Sequence, residues 1–420
     1  MSVVREASGL LASYRVLDLT DESGWFCGRL LGDLGADVVK VEPPGGDPGR
    51  WRGPFYRDEL HPERSLLWLA YNANKRGITL ALESPRGREL FTRLVARADF
   101  VVESYPPGLL EELGVGYPQL REHNPRLVWV SVTPFGRTGP RSRWRGPDLV
   151  VMAASGLMHL VGSPDGPPLR VSLPQAPLWG SLYAAAGALV AHLYRQRTGR
   201  GQLVDVSAQA SLLSALANAP AYCSLFGKDL RRAGNHMVGR NVHGARVRAV
   251  YRCRDGYINF ILYSGEAGRH SNAALVRWME ECGALPEALR GRDWEAFDVV
   301  TATQEEIDEL EEAIAAFLAE RTKAEFTEQA LRRGILGYPV ADPRDIREDP
   351  QLEARGFWEP VYHPELQTTL HYPRGFARFS NGAAGIRRPA PRVGEHNVEV
   401  YGELGLSPED VERLRAEGVV

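Results

Sequence analysis

Cysteine is scarce in this chain, and what there is does not cluster. Cys27, Cys223, Cys253 and Cys282 are the only four in 420 residues, with no CxxC spacing, and the ten histidines hold no HxxxH pair. That pattern argues against a disulfide framework or a zinc motif and reads as the reduced thiols of a cytosolic protein. An excess of one charge is lacking too, since 50 Lys and Arg stand against 53 Asp and Glu, a formal net charge of −3. So even a balance gives no electrostatic basis for binding nucleic acid or an anionic membrane. The opening MSVVREASGLLASY lacks the apolar core of a signal peptide, and no apolar run approaches the roughly 20 residues that cross a bilayer. Internal repeats and low-complexity linkers are missing as well. What remains has ordinary globular composition, 44% hydrophobic and 25% charged, and length enough for two or more domains.

The first third alternates β-branched runs with amphipathic stretches. RVLDL, DVVKVE, ITLAL, FVVES and LVWVSVT predict strands, while WFCGRLLGDLGA and SPRGRELFTRLVARA space their apolar residues for helices. Such alternation predicts an open parallel sheet covered by helices, a Rossmann-like α/β layer. Ser84-Pro85 supplies a cap and a first-turn proline for the second helix. Residues 180–196, rich in Ala and Leu, predict the best helix, ended by the glycines of TGRGQ. LVDVS then predicts a strand, and AQASLLSALANAPAYCSL one further apolar helix. Residues 241–262 predict strands about a turn at Asp255-Gly256, and ATQEEIDELEEAIAAFLAERTKAEFTEQALRR one amphipathic run ending at Arg333.

From Gly146 to Ser207 the chain reads GPDLVVMAASGLMHLVGSPDGPPLRVSLPQAPLWGSLYAAAGALVAHLYRQRTGRGQLVDVS. This resembles the signature region of the family III CoA-transferases (the CaiB/BaiF family), which also contains α-methylacyl-CoA racemases. YRVLDLTDESGWFCGRLLGDLGADVVKVEPPGGDPGR, the N-x-N-K-R segment of WLAYNANKRGITLAL, VVESYPPGLLEELGVGY, NPRLVWVSVTPFGRTGP, DPQLEARGFWEPV and RRPAPRVGEHNVEVYGELGLSPEDVERL stand in family order. The likeness thus covers nearly the whole chain. It implies a large α/β domain begun by residues 1–229, a smaller α+β domain at 230–333, and a tail, 334–420, that returns to the first. It also implies an interlocked dimer and a coenzyme A thioester as substrate, with no covalently bound cofactor.

The family's nucleophile is an Asp four residues before the Gly that opens the Ala-rich helix. That Gly is Gly180, and the Asp position holds Ala176. An alanine methyl cannot attack a thioester, so no catalytic residue is assigned. The racemase branch pairs this Asp with a His in a G-H-D segment, which here is Gly146-Pro147-Asp148, so both proton carriers are replaced. The family's CoA cradle is altered as well: the resemblance puts Pro43, Glu83, Glu112 and Thr133 where basic residues are common, and Ser104 where Asn is usual. Carboxylates facing the phosphates of CoA would oppose binding. Asn74, Lys75, Arg76, Tyr105, Phe135 and Gly136 are the cradle residues that persist.

Arg137, Arg141, Arg143 and Arg145 form a basic run that reads first as a solvated loop. Ser172 and Ser181 lack an activating base, and Asp205 reads as a partner for backbone. His159, His192, His236 and His243 have no metal spacing, and no metal site is expected. Gln175 could donate a hydrogen bond to a carbonyl, and Glu266 and His270, with Arg269, sit where the family's smaller domain faces the cleft. That last segment reads equally as a substrate-contacting loop or a helix cap. These residues suggest the Asp-less partner of a heteromeric CoA-transferase, of the succinyl-CoA:benzylsuccinate type, with an Asp-bearing paralogue supplying the nucleophile and holding CoA. The alternatives are a standalone acyl-CoA lyase, hydratase or hydrolase with a site rewired near Glu266 and His270, and a non-enzymatic acyl-CoA-binding homodimer.

Overall fold

Val16 and Leu17 set the pattern of the first unit, because neighbouring residues on a strand face opposite sides of a sheet and both are fully buried. A sheet covered on both faces needs apolar residues at every position, and the strand sequences supply them. The computed structural model describes residues 9–239 and 241–420. Its central sheet is formed by β1 (Arg15–Leu19), β2 (Asp37–Glu42), β3 (Lys75–Thr79), β4 (Phe100–Glu103), β5 (Val128–Thr133) and β6 (Leu203–Ser207), all parallel, in the order β3-β2-β1-β4-β5-β6.

Helix α1 (Trp25–Asp33) packs Leu30 and Leu31 on the face that carries Val16, Val38 and Val130. Helix α2 (Pro85–Val95) lays Leu90, Phe91 and Leu94 on the opposite face, with Leu17, Val39 and Trp129. Its Ser84 accepts from the N–H of Gly87, the expected cap. A short α3 (Asp148–Ala154) precedes the long α4 (Ala176–Thr198), whose Ala184, Ala188 and Ala191 join the α1 face. Gly199 closes α4 in the left-handed conformation at φ +73°, where a side chain would be strained. Helix α4 has 23 residues, and with an 18-residue stretch of mean hydropathy 1.2 it is long and apolar enough to cross a membrane by length and composition alone. That corrects the expectation that no run comes near this length, though its alanine face is buried against the sheet.

Three other expectations are corrected. The strand foreseen at ITLAL starts three residues earlier, at Lys75, because carboxylates neutralise the charged residues it buries. The single helix foreseen after LVDVS is two, α5 (Ala208–Ser214) and α6 (Asn218–Phe226). Pro220 has no N–H to donate and is tolerated only in a first turn, so the helix restarts just before it. The acidic run likewise divides into two helices at Thr322, whose side chain and Glu325 form a reciprocal cap.

Of the described residues, the first unit takes in those up to Met158, Arg170–Asp229 and Pro350–Val420, and the second His159–Leu169 with those of Leu230–Asp349. In the second, β7 (Val250–Cys253), β8 (Gly256–Phe260) and β9 (Gly337–Pro339) form an antiparallel sheet, turning at Asp255 as expected. Helices α7 (Gly265–Glu281), α8 (Gln304–Ala319) and α9 (Lys323–Arg333) bury Leu275, Ile314 and Phe326 against it. The chain then returns to the first unit with the hairpin β10 (Trp358–His363) and β11 (Thr368–Pro373) and the helices α10 (Asn397–Gly402) and α11 (Pro408–Ala416). Tyr401 of α10 donates to the Thr79 carbonyl at 2.7 Å, which covers the β3 edge of the sheet. All four cysteines are free.

Candidate active-site cavity

Where the strand order of an open parallel sheet reverses, the loops at the carboxyl ends part and leave a crevice. Here the reversal falls between β1 and β4. The loops after β1, β4 and β5 and the head of α4 line a cavity of about 670 Å³. Phe26, Tyr71, Tyr105, Val132, Val151 and Ala176 give it apolar walls.

Asp148 fixes the head of α4. Its Oδ1 accepts the N–H of Gln175 and of Ala176, each at 2.8 Å, and so satisfies donors that a helix start leaves open. Pro177 in the first turn has no N–H to satisfy. Ala176 is 3% exposed and packs with Val151, Met152, Ala208 and Leu212 while lining the cavity. Gln175 is not on the lining, and its amide donates to the Leu173 carbonyl of its own loop at 3.1 Å.

The three cradle residues nearest β3 are engaged inside the chain. The ammonium of Lys75, fully buried, donates to Asp18 at 2.6 Å and to the Trp25 carbonyl and Asn72 at 2.8 Å each. Burial lowers its pKa to about 8, partly offset by the Asp18 carboxylate. Arg76 grips Asp37 with two nitrogens, at 2.9 and 2.6 Å, and reaches Glu399 and Glu403 of the tail at 2.9 and 2.7 Å. Asn74 donates to Asp33 at 2.6 Å and accepts the N–H of Arg387 at 2.6 Å. The structure therefore gives these side chains the work of binding β3 to β1, β2 and the tail, and none of the three lines the cavity.

Tyr105, by contrast, lines it, and its hydroxyl pKa is pushed up to about 12 by burial and then by Glu83, Glu103, Asp47 and Asp21. Glu83 and Glu112 are exposed, as is Pro43. Thr133 lines the cavity, and its hydroxyl accepts from the N–H of Gly136 at 3.0 Å. Gly136 itself sits at φ +87°, a turn conformation that suits glycine. Phe135 packs against the cluster that holds Ala176, its ring edge-on to Trp144 at 6.3 Å. Asp205 accepts the Arg137 N–H at 3.1 Å, a backbone role as expected. Ser181 is buried and donates to the Ser23 carbonyl at 3.4 Å.

Charges on the wall are the part that sequence reasoning missed. Asp21 and Glu22, on the loop after β1, line the cavity with Arg52, Arg143, Arg145 and Arg170. Ser104 donates to Asp21 at 2.9 Å, and Arg52 pairs with Glu22 at 2.5 Å. Burial still raises the Glu22 pKa, ahead of the opposing pull of Arg52. Of the basic run, Arg137 is paired with Glu103 and Glu111, and Arg141 lies over the Trp144 ring at 5.4 Å. Arg143 and Arg145 have no hydrogen-bond or ion-pair partner among the described residues. The signal was present in RSRWR, but composition alone does not tell a cavity rim from a solvated loop. Glu266 and His270 belong to the second unit, in the first and second turns of α7, where the His270 ring lies against Gly334 and Arg269 stands 3.8 Å from Asp298.

A family model for CoA-transferase family III matches residues 11–397. The chain is 36% identical over 414 residues to the succinyl-CoA:(R)-benzylsuccinate CoA-transferase subunit BbsE of Thauera aromatica, across 97% of each chain. It is 31% identical to the succinyl-CoA–L-malate CoA-transferase beta subunit of Chloroflexus aurantiacus, across 98% of each. A solved CaiB/BaiF family protein from Brucella suis is similar in structure, with a TM-score of 0.79 and 28% identity, over 95% of this chain and 100% of that one.

Proposed function

This chain belongs to CoA-transferase family III, and within that family we propose that it is the subunit without a nucleophile in a heteromeric enzyme. That enzyme would move CoA from an acyl-CoA to a carboxylic acid. The observation that carries this reading is Ala176, a methyl group on the cavity wall at the head of α4, at the position that the sequence resemblance assigns to the family's reactive Asp.

In the transfer that membership implies, a carboxylate oxygen attacks the thioester carbonyl carbon, and CoA leaves as its thiolate, giving an acyl anhydride. The thiolate then attacks the enzyme's own carbonyl carbon, which releases the donor acid and leaves CoA on the enzyme as a thioester. The acceptor acid reverses both steps. Residue 176 has no oxygen for the first bond. Asp148 we read as the anchor of the α4 head, its Oδ1 holding two backbone N–H groups. An Asp-bearing paralogue supplies the nucleophile and holds CoA, while this chain completes an interlocked pair and shapes the acid pocket. The two relatives whose names mark them as subunits support an assembly of unlike chains.

The purified chain should show no turnover with succinyl-CoA and a panel of acids, and hydroxylamine trapping should find no modified carboxylate in residues 175–180. Co-expression with an Asp-bearing paralogue should give a complex that turns over. Turnover at about 10 per second by the pure chain would sink this reading. Ala176→Asp alone should stay inactive, because a nucleophile needs its target held within about 3.5 Å in a reactive orientation. Recovery by that one substitution would show that CoA is still held here.

A further inference from the structure

The lining of the cavity combines two chemistries. Its body is walled by Phe26, Tyr71, Tyr105 and Val151, broad enough for a ring, and Ala176 adds no polar group. At its rim, Arg143 and Arg145 carry guanidinium groups without a partner among the described residues. Arg170 joins them, its Nη1 donating to the Ser172 carbonyl at 3.3 Å. The carboxylates of the same cavity are already engaged, Glu22 by Arg52, Asp21 by Ser23 and Ser104, and Asp148 by backbone. Of the charged groups on the lining, Arg143 and Arg145 are therefore the two with neither a hydrogen bond nor an ion pair among the described residues.

Guanidinium groups left open beside an apolar chamber match a carboxylate attached to a bulky apolar body. The carboxylate takes charge-assisted hydrogen bonds at the rim, and the body displaces water from the aromatic walls. A polyphosphate fits less well, since two arginines leave most of its charge unpaired and Glu83 is near enough to act on Tyr105 of the lining. Between Arg143 and Arg145, Trp144 also lines the cavity, 59% exposed, an apolar surface for a ring to cover. We propose that this cavity binds a carboxylic acid with a ring-sized apolar body, its carboxylate held by Arg143 and Arg145. The inference rests on reading the cavity as part of a CoA-transfer site, and it names the class of acid.

Calorimetric titration of the purified full chain tests it without any turnover. The probe is 3-phenylpropanoate, compared with its uncharged amide, with propanoate, and with CoA. The phenyl acid should bind, and the other three should each bind at least tenfold more weakly. Arg143→Gln with Arg145→Gln should weaken the phenyl acid at least tenfold and leave the amide unchanged. Equal binding of the amide or of propanoate, tighter binding of CoA, an unchanged affinity in the double variant, or no binding of the phenyl acid at millimolar concentration would each overturn the proposal. If the acid binds but the co-expressed pair does not turn over, the heteromer reading fails and the pocket stands. If the pair turns over and the acid does not bind, the reverse holds.

Discussion

Two basic segments of this chain, Asn74-Lys75-Arg76 and Arg143-Trp144-Arg145, look alike on paper and do opposite work. In the first, every cation is closed off by carboxylates or carbonyls of the same chain, and Lys75 is 0% exposed. In the second, neither guanidinium has a partner among the described residues, and both line a cavity. A cation whose donors are all satisfied at home holds a fold together, and one that is left open beside a chamber can receive a ligand. The difference lies in the availability of charge and not in its amount.

The largest effect that separates the two is on stability. Removing one partner of a buried ion pair strands the other, so Lys75→Ala should destabilise the fold by about 3–5 kcal/mol, because Asp18 is fully buried beneath it. Arg143→Gln with Arg145→Gln should leave the midpoint of urea unfolding where it was. Loss of stability in the double variant, or a mild Lys75→Ala, would erase the distinction.

A buried acid in the second unit sharpens the point, because its compensation is incomplete. Glu311, 2% exposed, accepts the Arg248 N–H at 2.6 Å, but the Arg248 guanidinium stays 4.0 Å away. Burial raises its pKa to about 7 against that hydrogen bond and the Arg248 charge, and Asp308 adds to the rise. Between pH 4.5 and about 7 the folded state binds the extra proton, so this group's contribution falls as pH rises and is lost above the folded pKa. Glu311→Gln should therefore flatten that slope and add about 1–3 kcal/mol at pH 8. Unfolding curves at pH 5 and pH 8 measure it, and an equal slope in both proteins would mean that Glu311 is charged at little cost.

Much of the fold was legible because a doubly covered sheet writes itself as unbroken apolar strands, and RVLDL, DVVKVE and LVWVSVT lie where their sequences put them. The strand at Lys75 was misplaced because its charges are neutralised by residues distant in sequence, Asp18 and Asp37 upstream and Glu399 and Glu403 at the tail. The break at Thr322 was readable, since T-K-A-E is a capping pattern. At the site, the sequence singled out Ala176, which opens α4 and lines the cavity. Which arginines stay open was not, because that depends on whether Glu103 and Glu111 come within reach of Arg137 and stop short of Arg145.

The smallest effect concerns two acids that do not line the cavity. Glu83 and Glu112 are exposed, and neither has a salt-bridge partner among the described residues. Solvent and salt screen such charges, so their opposition to a phosphate is weaker than a buried acid's would be. Glu83 nevertheless acts on the Tyr105 hydroxyl, which lines the cavity, so its field reaches the chamber. Glu83→Lys with Glu112→Arg should then raise CoA affinity roughly tenfold at low salt, the yield of a charged contact to phosphate, and less at high salt. Calorimetry at two ionic strengths measures both. An unchanged affinity would mean that these carboxylates do not face the phosphates, and a gain that salt does not reduce would mean that it arises from packing and not from charge.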